Sequence, residues 1–590
     1  MRTLALLFLA PLLALADDSV TTIHVLPGSH LDIGFTDTPD AVREKRIRVL
    51  DDAIAAAKAD PEFRWFEEGG WVVDAWREKH KGEPERIAEL ATLMQAGRIS
   101  MGAAWANPHA GMFAESLDLL FFQRDDFAKT FGVSPAVAVL NDVPSYPEAL
   151  VDAMAARGIR YLLVGANMAF TAALPPGLAK APFWWESAAG NRILVVIDDD
   201  AYTAAYMKWG IDPDCARFFN PKEFPAGGAV ETMEAGVSRM LKTLAAPRDE
   251  VIVEHAFDNW DCANAKKLPG FIKQWNDAGK KPRIVLGGPE AYFRHIEEKY
   301  GKDLPVRKGE WGGQWDAIRA SSPVWTWRLR RAMAALPKDA SLETRAALAT
   351  AMEHSQGLGP GWGGMFTEEQ TAAHAKQVAA LFGRAVEGGR DAAPEDSDSP
   401  QCDGLPEAWK ACLASPRGRM RVGQSWLGPF VFDQAPEFDG DVVNCFNHTD
   451  FKVRAMFDRK DLKGSDLGDV SAVIEIPLKG AKKTLSIAPE GSPARWLLGG
   501  PPAFVVAPGG LRITGLAHPL VARSPLVFSW TLVADRDDPN VTWLQGLVVR
   551  QSFRCEFKDK STKALPFETL YPGEPSRLVV EVRLRVVEEK

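Results

Sequence analysis

The stretch Val25-Leu26-Pro27-Gly28-Ser29-His30-Leu31-Asp32-Ile33-Gly34-Phe35-Thr36 decides how the rest of the chain is read. An apolar run from Ile23 to Leu26, with His24 inside it, predicts a short buried strand. Pro27-Gly28 predicts that the strand stops in a turn. An imidazole and a carboxylate, His30 and Asp32, follow at once. At the carboxyl end of a strand, an extended His-x-Asp pair bends both side chains toward one point. Imidazole nitrogen with carboxylate oxygen suits a borderline divalent ion, zinc above all. Such a pair alone is more often a local hydrogen-bonded pair, so its meaning depends on what the other segments bring to it.

Outward from this point, short apolar runs alternate with amphipathic helical patterns as far as about Gly301. Strands are predicted at Thr22–Leu26, Phe63–Phe66, Arg98–Gly102, Ala136–Leu140, Tyr161–Val164, Ile193–Ile197, Val251–His255 and Arg283–Leu286. Helices are predicted at Asp40–Ala59, Glu85–Ala96 and Tyr146–Ala156. This alternation implies parallel strands covered by helices. About seven or eight such units predict a (β/α)7–8 barrel-like domain with its site at the carboxyl ends of the strands.

Beyond Trp325 the pattern becomes helical, through Trp325–Leu336, Ser341–His354 and Glu368–Val386, and predicts a small three-helix bundle. Gly388 to Pro406 is acidic and rich in breakers, which predicts a solvated linker. After about Gly418, strand-like runs at Val442–Phe446, Phe451–Met456, Ala472–Ile476, Leu511–Thr514, Leu526–Val533, Leu544–Val549 and Leu578–Val587 predict an antiparallel β-sandwich. The expected division is therefore a leader at 1–16, an α/β domain at 17–305, helices at 306–390, a linker at 391–417 and a β domain at 418–590.

The leader carries Arg2, an apolar core from Leu4 to Leu15 and a small-x-small cleavage motif at Ala14-Leu15-Ala16. That is the pattern of a secretory signal peptide cut after Ala16, which predicts a secreted or periplasmic protein with no membrane anchor afterwards. The 590-residue chain has ordinary globular composition, with 46% hydrophobic and 25% charged residues. Its net charge of −9 argues against a general nucleic-acid binder. Nineteen tryptophans against seven tyrosines provide indoles for the core or for stacking on sugar rings. Six scattered cysteines show no zinc-knuckle spacing; Cys402 and Cys412 are near enough in sequence to close a small loop in an oxidising compartment.

Three further stretches bear on the His30/Asp32 pair. Asn141-Asp142-Val143-Pro144 follows the strand Ala136–Leu140, which places a carboxylate at the barrel mouth, although Asp there is also a common helix N-cap. Glu254-His255-Ala256-Phe257-Asp258-Asn259-Trp260-Asp261 follows the strand at Val251. Met352-Glu353-His354-Ser355-Gln356-Gly357 ends a bundle helix in glycine. In this order the chain resembles glycoside hydrolase family 38, the metal-dependent retaining α-mannosidases, over roughly residues 20 to 390.

The family's opening motif Pro-His-Ser-His-Asn-Asp-Pro-Gly-Trp stands here as Pro27-Gly28-Ser29-His30-Leu31-Asp32-Ile33-Gly34-Phe35. The resemblance implies a metal site of His30, Asp32, Asp142 and His354, with zinc as the ion. It implies Asp142 as nucleophile and, less directly, Asp258 as acid/base, with Asp261 and the run Asp198-Asp199-Asp200 as rival carboxylates. Gly102-Ala103-Ala104-Trp105 and Phe183-Trp184-Trp185 are smaller echoes. Trp105, Trp185 and Tyr202 are candidates for a sugar subsite, and Glu310 and Asp316 for the rim of the cleft. Three departures bear on which sugar is bound: Gly28 replaces a His, Glu186 an Arg and Ser355 an Asp.

The chemistry of the residues agrees. Retaining cleavage needs two carboxyl groups about 5–5.5 Å apart. Asp142 beside a cation stays ionised, as a nucleophile must. Asp258 between Phe257 and Trp260 is placed to be desolvated and to hold a proton. The sequence therefore predicts an exported, metal-dependent, α-mannosidase-like glycoside hydrolase acting on carbohydrate. Two alternatives stand beside it: a metal-dependent polysaccharide deacetylase, whose Asp-Asp and His-x-x-x-His combination is not found, and a carbohydrate-binding or scaffold protein without catalysis.

Overall fold

The computed structural model describes residues 20–108, 114–143, 145–165, 180–198, 202–245, 248–309, 311–312, 332, 336–355 and 366–386, and, between 419 and 588, the strand segments named below with residues 553–565 and 569. Strand β1 (Thr22–Ser29) is the predicted opening strand, but it runs on through Pro27-Gly28 instead of turning there. The reason is a change of partner. β1 lies parallel to β9 (Glu250–His255) over Thr22–Pro27 and, on its other side, to β10 (Arg283–Leu286) over Thr22–Val25. After Leu286 that second side is taken over by β2 (Trp65–Glu67), which pairs with Gly28 and Ser29. Val25 O accepts from Gly287 N on that side, so Pro27 also faces it, and its missing N–H falls in the gap between the two partners. Gly28 is needed because a Cβ there would stand 2.7 Å from Phe66 O.

β2 continues parallel to β3 (Ile99–Met101). A second sheet holds β4 (Val137–Asn141), β6 (Tyr161–Gly165) and β8 (Arg192–Ile197) in parallel, with β7 (Phe183–Glu186) antiparallel to β8 and β11 (Val306–Lys308) beyond it. A small antiparallel pair joins β5 (Ser145–Tyr146) to β12 (Trp311–Gly312). A backbone bond from Ala103 N, just after β3, to Val137 O of β4 links the two sheets, and Ala256 N, just after β9, bonds Tyr202 O in the turn that follows β8. Alternate residues of these strands enter two apolar clusters. Val137, Val139, Leu163 and Val196 join Leu26, Phe66 and Ile252 in one, while Ala138, Leu140, Leu162 and Val195 join the other. Both strand faces are therefore buried, as parallel sheets require. This is a mixed α/β fold with parallel sheets, with helices such as Pro39–Ala59, Pro84–Gln95 and Pro289–Tyr300 against them. All eight strands predicted in this part are present, and β5, β7, β11 and β12 are additions. Their aromatic or short sequences carry no period-two signal.

Of the helical segment, Leu342–Ala351 and Glu368–Val386 are described, while Trp325–Leu336 falls almost wholly outside the described residues. The leader, the linker 391–417, Cys402 and Cys412 lie outside them too. Towards the C-terminus one antiparallel sheet runs in the order Ser425–Leu427, Arg419–Val422, Val473–Pro477, Thr484–Pro489, Arg577–Glu588, Val541–Arg550, Leu526–Ala534, Gly510–Thr514 and Ala503–Ala507. Among the described residues these strands form one hydrogen-bonded sheet, and Val442–Phe446 and Phe451–Met456 lie outside them. The hairpin Phe553–Glu556/Thr562–Leu565 ties back to the helical segment through Lys558 N to Phe366 O (2.9 Å) and Lys563 to Glu368 (2.6 Å). Among the described residues no helix is long and apolar enough to cross a membrane.

Helix Glu368–Val386 presses the buried His374 against Gly34, where a Cβ would meet its Nε2 at 2.8 Å. Burial pulls the His374 imidazole down to about 4, and does the same to His255. Both are neutral in the fold and readily protonated when unfolded, so they add stability above pH 6.5 that is lost as pH falls through about 4. A fall from 6.5 to about 4 is worth roughly 3 kcal/mol per histidine. Denaturant titration between pH 7 and 4 should show His374→Gln with a shallower loss of stability than the wild type; parallel slopes would reject this.

Candidate metal centre and active site

His30 and Asp32 leave the carboxyl end of β1 together. His30 N donates to Phe257 O (3.0 Å) and His30 O accepts from Asn259 N (2.9 Å), so the segment after β9 continues beside them. Asn259 sits in the left-handed region (φ 45°), which Asn tolerates better than most residues. Its side chain grips the Asp32 backbone, with Nδ2 donating to Asp32 O (2.8 Å) and Oδ1 accepting from Asp32 N (3.2 Å). Asp142 directly follows β4, also left-handed at φ 60°, with its N–H donated to Gly165 O (2.9 Å). His354 follows helix Leu342–Ala351, where its N–H bonds Asn107 O (2.9 Å).

These segments bring four side chains to one point. One ligating atom each from His30, Asp32, Asp142 and His354 lies within 4.8 Å of all the others, and all four residues are buried. His354 Nε2 is 3.0 Å from Asp32 Oδ1 and 3.3 Å from Asp142 Oδ2; His30 Nε2 is 3.4 Å from Asp32 Oδ1 and 3.9 Å from Asp142 Oδ2. The back of each imidazole is held by a glutamate. His30 Nδ1 meets Glu68 Oε2 at 3.0 Å and His354 Nδ1 meets Glu353 Oε1 at 2.5 Å. With Nδ1 of His30 committed as a donor, its Nε2 lone pair is left for a cation.

The electrostatics demand positive charge. Burial pulls both imidazoles down, but the carboxyl groups outweigh it: Glu68 and Asp32 push His30 well above its ordinary range, and Glu353, Asp142 and Asp32 do so for His354. Burial pushes Asp32 up, yet the two imidazoles hold it far below the usual carboxylate range. His30 Nε2 and Asp32 Oδ2 are buried and, among the described residues, have no hydrogen-bond partner. Buried donor atoms of this kind are costly unless something binds them. Nitrogen and oxygen ligands with bracing carboxylates fit a divalent ion.

Asp258 lies beside the cluster, paired with His30 across the bridge between their strands. Burial, reinforced by Asp32 and Asp142 and opposed by His30 and a Tyr202 hydrogen bond, raises its carboxyl to about 7. Tyr202 OH donates to Asp258 Oδ1 (2.7 Å), and its ring lies tilted against His30, with centroids 4.3 Å apart. Tyr202 therefore braces the Asp258 carboxyl. Its rival Asp261 is exposed and bonds the turn at Ala263 N (2.8 Å). Asp198 is buried in an ion pair with Lys180 at 3.0 Å.

Two other expectations are corrected. Trp105 and Trp185 are buried, at 3% and 0% exposure, with indole N–H groups donated to Thr350 Oγ1 (3.0 Å) and Gly309 O (2.8 Å). Neither presents a ring face for a sugar; both are core. Glu186 is held by Arg192 and Lys308. Ser355 turns inward, with its hydroxyl against Glu353 Oε2 (2.5 Å) and Ile33 O (3.1 Å). Glu310 and Asp316 lie outside the described residues. The sequence reading passed over Glu68, Asn107, Asn259 and the role of Glu353. A carboxylate directly after β2 and before Gly69-Gly70 was the available signal for Glu68.

Residues 20–310 match the model of the glycosyl hydrolases family 38 N-terminal domain. Among solved structures, the chain is similar to an alpha-mannosidase from Enterococcus faecalis V583, with a TM-score of 0.51 and 11% identity over 94% of this chain and 79% of that one. It is also similar to a protein in glycosyl hydrolase family 38 from Enterococcus faecalis, with a TM-score of 0.45 and 11% identity over 93% of this chain and 77% of that one. A 4-alpha-glucanotransferase from Thermococcus litoralis gives a TM-score of 0.44 and 11% identity over 97% of this chain and all, 100%, of that one. A comparison with curated proteins found no match.

Proposed function

Residues 20–310 belong to the glycosyl hydrolases family 38 N-terminal domain, and from that premise we propose an exported, metal-dependent glycosidase that removes terminal α-linked sugars by a retaining double displacement. The observation that carries this reading is the meeting of His30, Asp32, Asp142 and His354 within 4.8 Å, with Asp258 alongside. We read the domain as a barrel whose mouth holds these groups, completed by the helical segment that brings His354.

In this reading Asp142 attacks the anomeric carbon and becomes esterified to the sugar. Asp258 gives its proton to the departing oxygen, then takes one from water as that water releases the sugar from Asp142. The neutral carboxyl that Asp258 favours suits the first step. Tyr202 keeps the carboxyl aimed. Asn259 and Asp142 hold their unusual backbone angles so that Asp32 and the nucleophile point inward. A bound divalent ion, which we propose is zinc, supplies positive charge for neighbouring sugar hydroxyls and for Asp142.

A panel of aryl α- and β-glycosides, assayed with and without added zinc, tests the reading. Hydrolysis of an α-glycoside is expected, with the first product in the α configuration by NMR. Inverted product would require Asp142 to act as a base on water instead. Mature protein beginning at Asp17 would support export.

A further inference from the structure

The four ligand atoms come from segments that are distant in sequence. Asn107 reaches each of those segments, directly or through Glu68. It is 1% exposed and sits just beyond β3. Its Nδ2 donates to Glu68 Oε2 at 2.8 Å. That carboxylate receives His30 Nδ1 and also Leu31 N (2.7 Å), between the two β1 ligands. Its Oδ1 accepts from Asn141 N at 2.9 Å, the residue before Asp142. Its main-chain O accepts from His354 N at 2.9 Å.

Accordingly, we propose that Asn107 and Glu68 form a positioning pair that assembles the metal centre, setting the His30 ring, the Asp142 backbone and the His354 backbone against one another. The inference rests on the metal-centre reading and not on the identity of the sugar. Both residues act through ligands and touch no substrate.

The side-chain bonds of Asn107 are specific to an amide. Nδ2 must donate to a carboxylate while Oδ1 accepts from a backbone N–H, and both atoms are buried. An aspartate there keeps the shape and the acceptor but turns oxygen against oxygen at Glu68. A glutamine at Glu68 keeps the shape but loses the negative charge on which His30 Nδ1, Leu31 N and Asn107 Nδ2 converge at Oε2, and it turns an NH2 donor toward His30 Nδ1 where Oε1 stands at 3.3 Å. Bracing groups of this kind typically change metal affinity by about 10–100-fold.

The test uses full-length protein stripped of metal and titrated with cobalt(II), whose visible absorption reports coordination geometry. Wild type should bind about one equivalent and give a defined visible spectrum. Asn107→Asp and Glu68→Gln should each bind about 10–100-fold more weakly, with an altered band at saturation. Thr350→Val removes a neighbouring buried bond, to Trp105, that reaches no ligand. It should lower the melting temperature while leaving cobalt affinity and spectrum unchanged. If Asn107→Asp does not fold, Glu68→Gln decides alone. Wild-type affinity and spectrum in the folded variants would overturn the positioning role while leaving the metal centre standing. No binding by wild type would overturn both.

Discussion

Asp142→Asn is expected to lower turnover of an aryl α-glycoside by roughly 10^4-fold or more without unfolding the protein. An amide oxygen is too weak a nucleophile to form the sugar ester. The choice of asparagine follows from the backbone. Asp142 is left-handed at φ 60°, a conformation that Asn adopts readily and Ala does not. Alanine would add about 1–2 kcal/mol of local strain and confuse loss of chemistry with loss of structure. Asparagine also keeps a carbonyl oxygen near His354 Nε2, so metal content should fall less than activity does. Measuring both separates the two roles of this side chain. If Asp142 is the nucleophile, azide added to Asp142→Gly, which tolerates the same backbone angle and leaves room where the carboxylate stood, should recover part of the rate and give a β-glycosyl azide. Wild-type turnover in the variant would remove Asp142 from the mechanism.

The parts of this site visible in the sequence were those that alter local pattern. An apolar strand ending in His-x-Asp, a carboxylate after β4 and a histidine where a helix runs into glycine each stand out against their neighbours. Their order along the chain made them one constellation. Buried strands were legible for the same reason, since both faces of β4, β6 and β8 are apolar. Pro27-Gly28 misled because a turn signal and an exchange of strand partner look alike until the neighbours are known. Trp105 and Trp185 misled because an indole says nothing about whether its ring faces a core or a ligand. The bracing layer was not legible. Glu68, Asn107 and Glu353 work through contacts such as that between Asn107 and Glu68, separated by 39 positions, and no short motif encodes those. The same holds for Ser355, which reads as a lost cleft residue and is instead a brace between Glu353 and the loop at Ile33.

His354→Asn should weaken divalent-ion binding by at least about 100-fold, beyond the effect of a bracing residue, and make activity unrecoverable by added metal at micromolar concentration. Asparagine is again the informative replacement. Its amide nitrogen overlies the Nδ1 position, so the buried carboxyl of Glu353 keeps a donor in place of the one at 2.5 Å. Only the Nε2 atom that faces Asp32 and Asp142 is deleted. Alanine would take the imidazole away from the buried Glu353 Oε1, leaving the carboxyl with Ser355 at Oε2, and the lost stability would confuse the test of the metal. The asparagine variant also examines the architecture. His354 is the one candidate ligand supplied from outside the α/β segment, so a metal bound through His30, Asp32 and Asp142 alone would survive its loss. Elemental analysis after dialysis against a mild chelator separates the two cases. A full equivalent retained by His354→Asn would confine the centre to the α/β domain and make the helical segment a cover over it. An emptied site with an unchanged melting curve for the metal-free protein would mean that two separately folded parts of the chain share one ion.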